Sequence, residues 1–170
     1  MYKHCYSACM FDPTEDSVWR PLRLLQSAMD NDIALLYAEA ELPELKPSWV
    51  MELLRLHARG PMTIRELADS VQRTHSAMSQ KVAAMRDAGF VRTTAGRDAR
   101  SKRVALTEKA EALAAKLAAE WRATEAAMIE LEAELPYPLS RVVADMEEAL
   151  RRRSFHDRIR DQLRQAPEWH

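Results

Sequence analysis

The sequence predicts a mainly α protein that contains one small β-hairpin. Three observations carry this. First, between Met62 and Thr107 two short helical patterns with a tight join lead into a hairpin pattern whose tip is Gly96-Arg97-Asp98-Ala99-Arg100. Second, the chain has only three glycines, Gly60, Gly89 and Gly96, and each falls where an element should end. Third, the charge is uneven. Residues 73–109 carry nine Lys or Arg against three Asp or Glu, a local net of +6, whereas residues 1–72 net −4 and residues 110–170 net −3, for −1 in all. A basic island in an otherwise acidic chain is the electrostatic footprint of a surface that meets a polyanion.

Composition sets the limits. The 170 residues are 47% hydrophobic, as in a folded globular chain, and rich in the helix formers Ala, Leu, Glu and Arg. No apolar run approaches the roughly 20 residues that span a membrane. The start of the chain lacks a basic-then-apolar leader pattern, so a cytoplasmic protein without membrane contact is expected. Cys5 and Cys9 are the only cysteines and imply no disulfide framework. With His4 they are too few for a closed structural zinc site, so no metal is expected. The default is a free-thiol tail, with a thiol- or metal-responsive role for Cys5 and Cys9 as an alternative. No phosphate loop, G-x-S-x-G, H-E-x-x-H or G-x-G-x-x-G motif occurs. No enzyme activity, catalytic residue or cofactor is therefore expected.

The elements follow in order. Residues 1–17 have no clear period and are read as an irregular segment. A first helix is predicted from Val18 to Glu41, with Pro21 in its first turn and a stripe of Leu22, Leu25, Met29, Ile33, Leu36 and Ala40. A second begins at Pro47 or Ser48, turns Val50, Leu53, Leu54 and His57 inward, and ends at Gly60. Thr63 and Glu66 form a T-x-x-E capping box ahead of Leu67, Ala68 and Val71. Thr74 caps the next helix, which runs to residue 88 before Gly89 in the left-handed cap position. The hairpin is expected as a strand Phe90–Thr94, a tip Ala95–Lys102 and a strand Arg103–Leu106. Thr107 then caps a helix of nearly 30 residues with a near-heptad stripe of Leu113, Leu117, Trp121, Thr124, Met128, Leu131 and Leu135. Ser140 opens a last helical region striped by Val143, Met146 and Leu150, continuing or restarting through Phe155, Ile159 and Leu163. The resulting division is 1–17, 18–47, 48–107 and 108–170, within one intertwined domain.

The helix 74–88 is the most informative element. Met78, Val82 and Met85 share one face and should be core. The opposite face holds Ser76, Ala77, Gln80, Ala83 and Ala84, small and uncharged apart from Asp87 at its far end. Such a face can sit deep in a major groove: Gln80 can read an adenine edge, Ala77 can touch a thymine methyl, and Ser76 can reach either base edges or phosphate. Arg73, Thr74 and His75 at the entry turn, with Ser79 and Lys81 on the flanks, are placed for phosphate. The same pattern also fits a plain amphipathic helix with an Ala-rich solvent side. The hairpin separates the two readings. Arg97 and Arg100 flank Asp98 at its tip, and a guanidinium on such a tip can enter a narrow minor groove. Asp98 can hold Arg100 extended by a bidentate pair, and Lys102 and Arg103 can track the backbone.

These residues carry a family resemblance. Asp98-Ala99-Arg100-Ser101-Lys102-Arg103-Val104-Ala105-Leu106-Thr107 resembles the D-x-R-S-x-x-V-x-L-T wing of the MarR (multiple antibiotic resistance regulator) family. The helix pair ending in Asp87-Ala88-Gly89-Phe90-Val91 is similar to that family's reading head. The resemblance covers about residues 48–113. The two short helices, their tight join and the hairpin already have the shape of a winged helix-turn-helix; the resemblance adds an obligate homodimer joined by the first helix and the last two. Leu22, Leu25, Met29, Trp121, Met128, Leu131, Val143, Met146 and Leu150 would form the dimer contacts. It further implies a regulator, mostly of the repressor kind, that binds a palindrome on double-stranded DNA and answers to a small-molecule effector or an oxidant. The rival reading is a winged-helix module that binds a protein partner instead of DNA. Trp49 is read as a packing aromatic, with a pocket-lining role as the alternative. His57 is read as a satisfied interior histidine, and Arg151-Arg152-Arg153 as a solvated helix end.

Overall fold

Backbone hydrogen-bond demand at each punctuated position decides where the elements begin and end. The computed structural model describes residues 14, 17–95, 102–166 and 169. Helix α1 spans Arg20–Glu39, α2 Val50–Arg59 after a 3-10 turn at Pro47–Trp49, α3 Ile64–Ser70 and α4 His75–Asp87. Strands β1 (Val91–Ala95) and β2 (Lys102–Leu106) pair antiparallel, followed by α5 (Glu108–Ala133), α6 (Leu139–Arg152) and α7 (Phe155–Leu163). The expected fold class, mainly α with a hairpin wing, is therefore the observed one.

The chain divides into two units, Met1–Leu117 and Ala118–His170, with α5 crossing the division. In the first unit, Thr63 starts α3 as expected. Its hydroxyl accepts the Glu66 N–H at 3.1 Å, and the Glu66 carboxylate accepts the Thr63 N–H at 2.7 Å. Thr74 starts α4, its Oγ1 accepting the Ala77 N–H at 3.3 Å. Gly89, at φ +77°, ends α4 in the left-handed region, where a Cβ would strain the backbone. The core between these elements holds Leu53, Leu56, Leu67, Met78, Met85 and Phe90, each with at most 2% of its surface exposed.

Several boundaries shift. Helix α1 is shorter at both ends than 18–41, and Glu41 has taken the left-handed conformation at φ +60°. Phe90 precedes the strand. Its N–H is spent on the Met85 carbonyl at the end of α4, and its carbonyl on the Thr107 N–H. Ala95 and Lys102, read as tip residues, form the last pair of the ladder. Gly96 lies outside the described residues. His57 is exposed, not interior, and bonds Glu111 at 2.8 Å through Nδ1. One tie has no sequence signature: Met62 pairs with Val104 as an isolated bridge, with N–H···O bonds of 3.0 and 2.7 Å that hold the hairpin to the loop before α3.

Thr107 caps α5 as expected. Its Oγ1 accepts the Ala110 N–H and donates to the Gly89 carbonyl at 2.8 Å. In the second unit, Pro138 and not Ser140 occupies the cap of α6, because the Glu132 carboxylate takes both the N–H and the hydroxyl of Ser140 at 2.7 Å. That pair of bonds holds the Glu132 carboxyl below its ordinary range. The chain restarts rather than continues after Arg153, because Ser154 caps α7 through the Asp157 N–H. Arg151 and Arg152 both pair with Glu148, and Arg153 pairs with Asp161. Neither α6 nor α7 has a buried residue in the single chain.

The Thr63 N–H and then the Thr63 hydroxyl hold the Glu66 carboxyl below its ordinary value, with Arg103 adding to the effect. A carboxyl lowered in the folded state stabilises above its ordinary value and loses that contribution as pH falls through the lowered one. Thr63→Ala removes the hydroxyl that accepts the Glu66 N–H, and loss of that cap should cost about 1 kcal/mol at neutral pH. Urea unfolding across pH should show the difference narrowing in acid; a gap independent of pH would separate the cap from Glu66.

Candidate nucleic-acid interface

Helix α4 separates its residues as the helical wheel requires. Met78, Val82 and Met85 are buried, while Ser76, Ala77 and Gln80 stand exposed on the other side. Ala83 and Ala84 are half-buried, as is Ser79 on the flank. At the entry turn Arg73, Thr74 and His75 are all exposed. The Arg73 N–H bonds the Ala68 carbonyl at 2.9 Å, and Gln72 adopts φ +54° between the helices. That left-handed residue makes the tight join, and so α3 and α4 form a helix-turn-helix.

Two expected phosphate holders are employed elsewhere. Lys81 turns inward: its Nζ donates to Glu52 Oε1 and to the Ser48 carbonyl, both at 2.7 Å, and only 22% of its side chain is exposed. Glu52 lies in the first turn of α2 with 2% exposure and needs a cation there, which is why the ammonium leaves the surface. Arg103 likewise turns onto the body of the unit. Its guanidinium donates to the Pro61 carbonyl at 2.8 Å and lies 3.8 Å from Glu66. Lys102, its neighbour at the start of β2, is exposed. Arg97, Asp98 and Arg100 lie outside the described residues, as do Cys5 and Cys9.

Glu52 is the residue that sequence reasoning missed. It sits between Val50 and Leu53 on the buried side of α2, and its partner is 29 residues away on a helix read as solvent-flanked. No spacing rule links the two. Trp49, in contrast, packs as expected. It is buried and meets Phe90 edge-on at 6.0 Å, with the Lys46 ammonium 5.2 Å from its ring centre. Among the described residues no cluster of His, Cys, Asp or Glu is arranged to hold a metal, and no helix is long and apolar enough to cross a membrane.

A tightly joined helix pair, a two-stranded wing and flanking long helices define a winged helix-turn-helix. The fold is that of the MarR-type transcriptional regulators. MepR of S. aureus, solved as a DNA complex, is 15% identical, with a TM-score of 0.59 over 79% of this chain and 96% of that one. A MarR protein of Peptoclostridium difficile is 17% identical, with a TM-score of 0.55 over 84% and 91%. The M. tuberculosis transcriptional regulator MOSR, also solved with DNA, is 25% identical, with a TM-score of 0.50 over 78% and 96%. These neighbours are regulators rather than enzymes. The family model HVO_A0114 matches residues 49–110, and no curated protein matches the chain significantly in sequence.

Removing one partner from a buried ion pair leaves an uncompensated charge. Lys81→Met alone should therefore destabilise the fold by about 3–5 kcal/mol in denaturant unfolding. A loss below about 1 kcal/mol would mean that the pair behaves like a surface salt bridge.

Proposed function

We propose that this chain is a sequence-specific double-stranded DNA-binding transcription regulator, a ligand-responsive repressor that acts as a homodimer on a palindromic operator. The exposed side of α4 carries the proposal. Ser76, Ala77 and Gln80 are small or flexible, uncharged and open to solvent on a helix whose other side is buried. Small side chains let such a helix lie deep in the major groove, where the Gln80 amide can pair with a base edge. Gln80 reads an adenine, Ala77 contacts a thymine methyl, and Ser76 bonds a base edge or a neighbouring phosphate. Arg73, Thr74, His75 and Ser79 position the helix on the backbone. From the wing, Lys102 meets phosphate while Arg100, oriented by Asp98, enters the minor groove beside Arg97. Lys81 and Arg103 are left out because their donors are engaged within the fold. The likeness to MepR and MOSR, both solved with DNA, supports the same reading.

The homodimer is proposed on apolar exposure. In the single chain Val143, Met146 and Leu150 of α6 and Leu25 of α1 are each more than two-fifths exposed, and Leu131 of α5 is similar. Leu22, Met29, Trp121 and Met128 are half-buried. A stripe of this kind at helical spacing needs a partner surface, and a second copy supplies one. Response to a small molecule follows from the family resemblance and is measured as a change in duplex affinity on adding a ligand.

Binding to a duplex selected by the chain from random sequence, measured at two salt concentrations, tests the proposal. A steep log-linear fall with salt is expected, and its absence would favour a protein-binding module. Arg100→Ala should weaken binding to the selected duplex strongly with the dimer intact. Lys102→Ala should weaken binding on all sequences and flatten the salt slope by about one unit. Independently, Met146→Glu with Leu150→Glu should convert a species of twice the chain mass to monomer in sedimentation. A wild-type chain that already sediments as a monomer refutes the dimer.

A further inference from the structure

The buried pair joining α2 to α4 does more than satisfy two charges. Lys81 is the middle residue of α4, with six residues of the helix on either side. Both ends of that helix are tied by the chain itself, through the Thr74 cap and through the Gly89 turn into β1. Its middle is held from below by Met78, Val82 and Met85. Methionine side chains are flexible and repack readily, so two of them under one helix define its rotation about its own axis poorly. The Lys81 ammonium supplies what they lack. It is directed at two fixed acceptors, Glu52 Oε1 and the Ser48 carbonyl, both on the α2 side and both at 2.7 Å.

A second observation concerns the cost. Glu52 Oε2 is buried and has no hydrogen-bond partner among the described residues. A carboxylate with one oxygen unsatisfied is a poor way to gain stability, because a well-packed apolar pair of the same size avoids the desolvation altogether. The feature that such a pair offers and an apolar pair does not is direction.

We infer that Glu52 and Lys81 are positioning residues: their ion pair sets the rotation of α4 and hence the angle at which Ser76, Ala77 and Gln80 meet base edges. The inference rests on the DNA-reading proposal above. The pair touches no base. It acts on discrimination between sequences, since a reading helix rotated away from its register keeps its phosphate contacts but misaligns its base contacts.

The test is the double variant Glu52→Leu/Lys81→Met, which removes both charges and keeps the volume. It is compared with the wild-type chain on two duplexes: one selected by the wild-type chain from a random pool, and a scrambled duplex of equal length and composition. The double variant should melt at or above the wild-type temperature and bind the scrambled duplex equally well, with the same salt slope. Its preference for the selected duplex should fall about tenfold, the scale of one lost base contact. Glu52→Gln, which keeps an acceptor for Lys81, should retain most of the preference. An undiminished preference in the double variant overturns the inference. So does a salt slope reduced by about one unit, which would make Lys81 a phosphate contact. So does a double variant that melts well below wild type, which would make the pair a stabilising element. A wild-type chain that shows no salt-dependent duplex binding defeats the DNA-reading proposal itself, before any variant is compared.

Discussion

Phe90 is the fixed point on which the winged unit depends. Its ring is fully buried, meeting Trp49 edge-on at 6.0 Å, and the Lys109 ammonium lies 4.7 Å from its centre. Its N–H bonds the Met85 carbonyl at 2.9 Å, and its carbonyl accepts the Thr107 N–H at 3.1 Å. One residue thereby locates the end of α4, the start of β1, the start of α5 and the 3-10 turn before α2. Burying the ring is worth about 1.5–3 kcal/mol, and the two backbone bonds give that burial a direction. The turn that brings Phe90 inward requires Gly89 in the left-handed region, so the Gly89-Phe90 pair acts as a unit.

Around that point, two kinds of force divide the work. Apolar burial brings α2, α3, α4 and the hairpin together, but it is non-directional and tolerates rotation. Directional contacts then choose among the arrangements that burial allows. The Met62–Val104 bridge sets where the hairpin lies against the loop before α3. Arg103 bonds the Pro61 carbonyl and reinforces that placement. Lys81 and Glu52 set the middle of α4. In each case a group that reads in sequence as surface or loop has been drawn into the frame.

Local rules made much of this legible in the sequence. Thr63, Thr74 and Thr107 cap helices because their hydroxyls reach an N–H three residues on, and that requirement is written in the spacing. The buried stripe of Met78, Val82 and Met85 follows from the helical period alone, and with it the exposure of Ser76, Ala77 and Gln80. Boundaries that depend on a distant partner were not legible. Phe90 left the strand because Met85 and Thr107 claim its backbone, and Pro138 took the cap of α6 because Glu132 claims Ser140. His57 lies on the surface, where it bonds Glu111, a partner 54 residues away.

The sequence by itself determined the winged helix-turn-helix class, the order of its elements and the face of α4 that stays exposed. These follow from period, capping and glycine placement, all of which act over a few residues. Only the tertiary structure decided which cations remain free. Lys81 and Arg103 are indistinguishable in sequence from Arg73 and Lys102, since all four are basic residues on or beside α4 and the hairpin. Whether such a side chain reaches outward or folds back depends on acceptors placed by other elements: a buried carboxylate on α2 for Lys81, and the Pro61 carbonyl for Arg103. A charge is local to its residue, but its partner is chosen by the packing of the whole unit.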